Sequence, residues 1–367
     1  MFYILHHLAQ PDSWLTVLNV FKYITVRGAM AALTAFVLTM VIMPMFIAMM
    51  KRRGATEDTA KSDSDFVREK HASKKDVPTM GGVVITAAVV VSGFLWARID
   101  NNLAFFGLFL YLGFAFLGFL DDYRKMAYPG VKGLTIKAKL LGQIALGVVG
   151  AMIVLSESGS AADAISIPLV KPDIFLPHLG MWFILWGAFV LVSYSNSVNL
   201  SDGLDGLAGG LLLEVVVTAS LLAYLTGHAV ISGYLQIPFV PQAGELLVIG
   251  AAAAGALLGF LWYNAHPAQV FMGNTGSLSL GALCGYLGLA AKQELLLVVT
   301  AAVLVFEGLS VLIQIISFHF WGKRVFLVAP FHHHLERLGW PEQKIVVRLW
   351  LVGILAALVS ISLLKVR

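Results

Sequence analysis

The chain has 367 residues, 59% hydrophobic and 13% charged, with a formal net charge of +4 and a mean hydropathy of +0.84. A soluble domain carries about 25% charged residues, so this composition excludes a soluble globular protein. Alternation in segments of about ten residues is missing, which excludes a transmembrane β-barrel.

The expected fold is therefore an all-α polytopic membrane protein forming one integral membrane domain over residues 1–367. Residues 1–24 are mixed in character and read as a short interfacial segment without a cleavable signal peptide. Apolar runs long enough to cross about 30 Å of hydrocarbon follow at residues 28–50, 79–97, 103–120, 140–155 and 179–195. The later ones lie at 206–226, 246–263, 275–291, 295–318 and 346–364. Cys284 is the sole cysteine and sits inside an apolar run, so neither a disulfide within the chain nor a cysteine metal site is available.

Ten spans place both termini on one side. The loops after spans one, three, five, seven and nine hold 8, 5, 0, 0 and 5 Lys or Arg residues, against 7 in all other segments. Positive charge stays inside, so these loops are cytoplasmic and the termini are outside. Every unusual polar cluster falls on that cytoplasmic side: residues 70–82, 121–125, 196–205, 264–277 and 332–334. A one-sided site suits an enzyme that takes one substrate from the cytosol and another from the membrane. A transporter would carry polar groups at the midplane and show an internal repeat, and no repeat is evident.

The richest cluster runs from Asn196 to Leu207 and joins two amides, two carboxylates and two glycines between apolar runs. Burying an unpaired carboxylate in hydrocarbon is very costly, so these groups face water, a metal or a charged ligand. Asp202 and Asp205 lie three apart and share a face if the segment is helical. Either could instead cap span six. Asp121-Asp122 ends span three, where carboxylates oppose the helix dipole. Such a pair suits Mg²⁺ or general-base work. Four carboxylates in one pocket call for cations, supplied by Mg²⁺ or by Lys74, Lys75 and Lys125.

The run from Gln269 to Ser277 places glycines and hydroxyls at the start of span eight. That arrangement suits phosphate or ribose binding through backbone N–H groups, or a plain turn capped by Asn274 or Thr275. Phe271 could stack on a base. Three consecutive histidines, His332, His333 and His334, cannot all face one metal, but they could bond phosphate or a sugar. Glu307 and Glu214 lie within apolar runs; the first is a functional candidate by position, the second reads as a neutral structural group. Carboxylates, a divalent metal, lysines and a glycine-rich helix start at a membrane surface are the parts of phosphoryl transfer.

The motifs Pro78-Thr79-Met80-Gly81-Gly82, Asp121 through Lys125, Asn196 through Leu207, Pro267 through Gly273 and Ala329 through His334 occur in this order. On them the chain resembles the phospho-N-acetylmuramoyl-pentapeptide transferases of the polyprenyl-phosphate N-acetylhexosamine-1-phosphate transferase superfamily, over nearly its whole length. The resemblance implies ten helices, a homodimer in the bacterial cytoplasmic membrane, a Mg²⁺ requirement and no nucleic-acid partner. It implies transfer of phospho-MurNAc-pentapeptide from UDP-MurNAc-pentapeptide to undecaprenyl phosphate, giving lipid I and UMP.

By the same resemblance Asp121, Asp122, Asn274 and His332–His334 are catalytic. Lys74 and Lys125 neutralise phosphate charge. Asn196, Asn199, Asp202, Asp205, Asn264, Phe271, Gly273, Ser277 and Gln314 line the substrate, and Asn274 with Asp202 holds the metal. The family pattern has Asp where this chain has Asn274. An amide oxygen still coordinates Mg²⁺, but it brings no charge and is not a nucleophile. The pattern also has Gly-Thr where this chain has Asp76-Val77. The alternatives are a sibling GlcNAc-1-phosphate transferase, favoured less because of the triple histidine, a lipid flippase, and a form impaired by Asn274.

Overall fold

A computed structural model describes residues 1–9, 14–54, 74, 76–128, 131 and 133–366. Lys75 and residues 70–73, part of one expected polar cluster, lie outside the described residues. Thirteen α-helices occur among those described: α1 Ile24–Arg52, α2 Gly82–Trp96, α3 Asn102–Ala127, α4 Ile136–Glu157, α5 Phe183–Ser201, α6 Leu207–Thr226, α7 Ala229–Leu235, α8 Leu246–Asn264, α9 Gly273–Ala290, α10 Glu294–Thr300, α11 Ala302–Trp321, α12 Phe331–Arg337 and α13 Glu342–Leu363. No strand forms among the described residues, only an isolated bridge between Ala164 and His178. The chain is an all-α, multi-pass membrane protein.

Among the described residues eight helical segments are long and apolar enough to cross a membrane. They include α1, α3, α4, α6, α11 and α13, together with α5 and α8 and their short 3₁₀ lead-ins. The second expected span, α2, has 15 residues and falls short in length. The eighth, α9, is not among the eight, because its first turns carry Asn274, Thr275, Ser277 and Ser279. The ninth is broken at Ala301 into α10 and α11. The interfacial segment forms two 3₁₀ helices, Phe2–Leu8 and Trp14–Lys22.

Lipid gives helices no hydrophobic reason to associate, so contact depends on small residues and close packing. Helix α1 buries Ala31, Ala35, Thr39, Met43 and Ile47 at four-residue spacing, one ridge down the helix. That ridge lies against the Ala- and Gly-rich α8. Helix α9 is the axis of the bundle, with every residue from Thr275 to Ala290 buried among α3, α5, α6 and α2. Its start approaches two backbones closely: a Cβ at Gly118 would fall 2.2 Å from the Asn274 carbonyl oxygen, and one at Gly82 would fall 2.1 Å from the Gly276 nitrogen. Outward faces keep large apolar side chains exposed, such as Leu33, Val37 and Val41 on α1 and Leu351, Leu355 and Leu358 on α13, as a lipid-facing surface requires.

At the end of the bundle away from Asp121 lies an ion pair that composition does not disclose. Arg27, on α1, is buried against Glu245, with Nη2 donating to Oε2 at 2.9 Å. Arg27 also donates to the Trp96 carbonyl at 3.1 Å, and the Arg98 amide donates to Glu245 at 2.8 Å. Paired and hydrogen-bonded, the two charges tolerate burial.

Candidate active site

The last turns of α3 carry Asp121 and Asp122, both buried, and the two do different things. Asp122 Oδ1 accepts from the Asn274 amide at 3.1 Å, while Oδ2 accepts from the amide and hydroxyl of Thr275, each at 2.9 Å. Helix α9 has Met272 at its N-cap and no side-chain cap of its own. Asp122 supplies one from a neighbouring helix, where a carboxylate also favours the positive end of the dipole. The expected capping by Asn274 or Thr275 therefore does not occur. Two of the first N–H groups of α9, expected to be open to a phosphate, are taken by Asp122: those of Asn274 and Thr275.

Asp121 points the other way. Its Oδ1 accepts from the Leu134 amide at 2.8 Å. Its Oδ2 meets Lys125 Nζ at 2.6 Å and also accepts from Asn274 Nδ2. Asn274 Oδ1 in turn accepts from Asn199 Nδ2 at 2.5 Å. The same Asn199 nitrogen donates to Ser277 Oγ at 2.9 Å, and Asn199 Oδ1 accepts from Lys139 Nζ at 3.2 Å. Asp121, Lys125, Asn274, Asn199, Ser277 and Lys139 thus form one continuous network across α3, α4, α5 and α9.

Helix α5 ends at Ser201, and Asp202 is its C-cap residue. Asp202 and Asp205 consequently do not share a helical face. Nor does either cap α6, whose N-cap is Gly206 at φ +79° without a side-chain cap. Asp205 belongs to a second group. Its Oδ1 accepts from Lys74 Nζ at 2.6 Å, and its Oδ2 accepts from the Ala268 amide at 3.1 Å and meets His266 Nδ1 at 3.0 Å. Glu342 Oε1 accepts from Lys74 Nζ and from the Asp205 amide, both at 2.7 Å. Burial alone would push the Lys74 ammonium down, but Asp205 and Glu342 outweigh it and hold the group above its ordinary value.

Among the described residues Asp205, His266 and Glu342 offer ligand atoms within 4.8 Å of one another. The bonds from Lys74 to both carboxylates place an internal cation there. Of the four carboxylates expected in one pocket, Asp121 and Asp122 bond one set of partners and Asp205 another.

The triple histidine makes a third group on α12. His332 and Glu307 are fully buried, with Glu307 Oε2 3.0 Å from His332 Nδ1 and the His332 amide directed at both carboxylate oxygens at 3.1 and 3.2 Å. His333 Nδ1 lies 2.6 Å from Glu336 Oε2, and His334 Nδ1 accepts from the Leu327 amide at 3.1 Å. Gln314 fastens the same loop, accepting from the amides of Val325 and Phe326 at 3.1 and 2.9 Å. The last turn of α5 and the turn after it touch all three groups: Asn199 reaches Asn274, Gly203 abuts His332, and Asp205 holds Lys74.

The remaining expected residues make bonds and close contacts within the framework. Asn264 accepts from the Gly206 amide at 3.1 Å and donates to the Val270 carbonyl at 2.9 Å, tying the α8–α9 loop to the turn before α6. The Phe271 amide donates to Pro78 at 2.8 Å, and the Gly81 amide donates back to Phe271 at 2.8 Å. Gly273, at φ +73°, turns beside Asp122 where a Cβ would sit 2.9 Å from Oδ2. Asn196 donates to Gln143 and to the Val192 carbonyl, away from Asn274.

Glycosyl transferase family 4 matches over residues 104–292, a stretch holding Asp121, Asn199, Asp205 and Asn274. The phospho-N-acetylmuramoyl-pentapeptide-transferase of Nitratidesulfovibrio vulgaris (strain DP4) is 44% identical over 368 aligned positions, 99% of this chain and 100% of the relative. Those of Desulfotalea psychrophila and Thermodesulfovibrio yellowstonii are 45% and 41% identical, over 95% and 97% of this chain and 96% and 98% of the relatives. The chain belongs to the phospho-N-acetylmuramoyl-pentapeptide-transferase family.

The glycosyl transferase match ends at residue 292, before Glu307, the histidines and Glu342, whereas the family relatives run the full length. Four residues now found in these networks were not singled out from sequence as site residues. Lys139 stood among apolar residues at a helix start, and Thr275 read only as an alternative cap. His266 lay inside a noted cluster without a partner in view, and Glu342 follows Pro341 as an ordinary helix-start signal.

Proposed function

We propose that the chain transfers phospho-MurNAc-pentapeptide from UDP-MurNAc-pentapeptide to undecaprenyl phosphate, yielding lipid I and UMP. The observation that carries the reading is identity of 41–45% to relatives of that name along nearly the whole chain. The network of Asp121, Lys125, Lys139, Asn199 and Asn274 gives it a place to happen. We take the ten apolar segments to cross a bacterial cytoplasmic membrane with both termini outside, the network at the cytoplasmic face, and the protein to act as a homodimer.

In this reading an oxygen of the lipid phosphate attacks the sugar-bearing phosphorus. The bond from that phosphorus to the bridging oxygen breaks, and UMP leaves with the electron pair. Asp122 serves as the cap of α9, whereas Asp121 faces the polar network beside Lys125 and Asn274, so Asp121 is the carboxylate assigned to the lipid-phosphate proton. Lys125 and Lys139 offset the charge of the phosphates, and Lys74 faces the turn that carries Asp205. An amide at residue 274 cannot be phosphorylated as a carboxylate is, which favours direct attack.

The family implies Mg²⁺. The donors at Asp121, Asn274 and Asp202 are hard oxygens of the kind Mg²⁺ takes; they fit in type, and we assign the ion to them. Bound there, it would neutralise pyrophosphate charge. In this chain the Asn274 amide nitrogen faces Asp121, so the ion competes with an internal hydrogen bond.

The test is release of UMP from UDP-MurNAc-pentapeptide in the presence of undecaprenyl phosphate and Mg²⁺, with UDP-GlcNAc as competitor. Turnover that UDP-GlcNAc leaves untouched supports the reading. Turnover of UDP-GlcNAc in preference points to the sibling reaction. Binding without turnover, restored by Asn274→Asp, identifies an impaired member of the family.

A further inference from the structure

His332 has one ring nitrogen that none of the described residues uses. Nδ1 is held by Glu307, and the backbone amide of His332 points at the same carboxylate. Nε2 is fully buried and has no hydrogen-bond partner among the described residues. It is directed at the turn after α5, since a Cβ on Gly203 would lie 2.4 Å from it. Only a residue without a side chain leaves that nitrogen room.

Glu307 fixes which form the ring takes. Its two oxygens face donors only, so Nδ1 carries a proton and Nε2 carries the lone pair. Of the two neutral forms, the one with Nε2–H would leave a buried donor unpaired and turn the Nδ1 lone pair toward the carboxylate, so the Nδ1–H form is the one that fits. A carboxylate that orients an imidazole through Nδ1 and frees Nε2 is a recurring arrangement where a histidine must accept a hydrogen bond or a proton.

We propose that Glu307 is a positioning residue for the sugar-nucleotide site, holding His332 so that Nε2 accepts a hydrogen bond from a hydroxyl or amide N–H of the bound substrate. This rests on the transferase reading above. It also narrows the role of the triple histidine: His332 recognises a donor group and not a phosphate oxygen. The turn at Asp202 and Gly203 lies over that nitrogen and joins Asn199 on one side to Asp205 on the other.

The experiment uses the full chain, labelled with ¹⁵N-histidine, in nanodiscs. In the ligand-free protein the His332 ring, assigned by its loss in His332→Gln, is expected to show a protonated Nδ1 and a bare Nε2. Adding UDP-MurNAc-pentapeptide is expected to shift the Nε2 resonance toward that of a hydrogen-bonded acceptor. Glu307→Gln keeps the shape of the side chain, mixes the two ring forms and weakens sugar-nucleotide binding about tenfold, the size of one positioned hydrogen bond. Glu307→Leu removes the acceptor altogether and weakens binding at least as much, with melting recorded for both variants. A doubly protonated ring in the free chain overturns the proposal without touching the transferase reading. So does an Nε2 resonance that ignores the ligand, or binding unchanged in a folded Glu307→Gln. Failure of every form, the parent included, to bind the sugar nucleotide overturns the proposal and the substrate reading together.

Discussion

Asp122 on α3 closes the N-terminus of α9 by accepting from both the amide and the hydroxyl of Thr275 at 2.9 Å. Its neighbour Asp121 instead turns to Lys125, Leu134 and Asn274. Two adjacent carboxylates that look equivalent in sequence thus divide between holding the bundle axis in place and facing the polar network.

Asp122→Ala leaves the amides of Asn274 and Thr275 without their acceptor at a buried helix start. Loss of a cap of this kind costs about 0.5–2 kcal/mol, and the stranded donors place the expected value at the upper end. Asp122→Asn keeps one oxygen and falls between Ala and the parent. Thermal unfolding in detergent tests the order. A variant with Ala that melts like the parent, while losing turnover, would show that Asp122 acts in chemistry and not as a cap.

Asn274→Asp replaces the amide that donates to Asp121 with a second carboxylate facing it. The hydrogen bond becomes a like-charge contact, expected to cost about 1–3 kcal/mol in a buried setting. A divalent ion between the two carboxylates reverses that cost, because a ligand that binds only the folded form stabilises it. The rise in melting temperature on adding Mg²⁺ to chelator-treated protein is therefore larger for the Asp form than for the parent. Equal rises in the two would mean that the amide does not stand in the place of an ion.

Much of this arrangement could be read from the sequence, for physical reasons. Charge asymmetry and polar islands at the ends of apolar runs locate the network because lipid tolerates such groups nowhere else. The division of labour could not be read. That Asp122 caps a helix through Asn274, 152 residues later, depends on the close approach permitted by Gly118 and Gly82, which a single chain does not announce. The shared-face reading of Asp202 and Asp205 failed because α5 ends at Ser201 and the chain turns between them. Lys74 was legible as a cation, but its carboxylate partner Glu342 lies 268 residues away.

Lys74 supplies a pH dependence with a definite sign. Asp205 and Glu342 raise the ammonium above its ordinary value despite burial. A raised lysine contributes stability that is fully present below the unfolded value of about 10.4 and is lost as pH climbs through the folded one. The stability difference between the parent and Lys74→Met is expected to stay constant from neutral pH to about pH 10 and to shrink only beyond it. Glu342→Gln removes one of the two supporting charges and moves that decline to lower pH. A difference that already fades between pH 7 and 9 would mean that the lysine is not held by the two carboxylates.

Gly118 tests whether the close contact of α3 with the start of α9 is needed for the fold. A Cβ there would sit 2.2 Å from the Asn274 carbonyl oxygen and 2.7 Å from the Thr275 nitrogen. Both are backbone atoms at the junction that Asp122 caps, so neither can swing aside as a side chain would. Overpacking of this kind costs about 1–3 kcal/mol, and the displaced helix would also lengthen the bonds from Asp122. Gly233 within α7 has nothing within 4 Å of an added Cβ. There the change to Ala should stabilise by about 0.5–1 kcal/mol through helix propensity alone. Gly118→Ala is therefore expected to lower the melting temperature and the yield of monodisperse protein, and Gly233→Ala to leave or raise them. If the two variants behave alike, α3 and α9 do not meet at the distance on which the placement of Asp121 beside Asn274 depends.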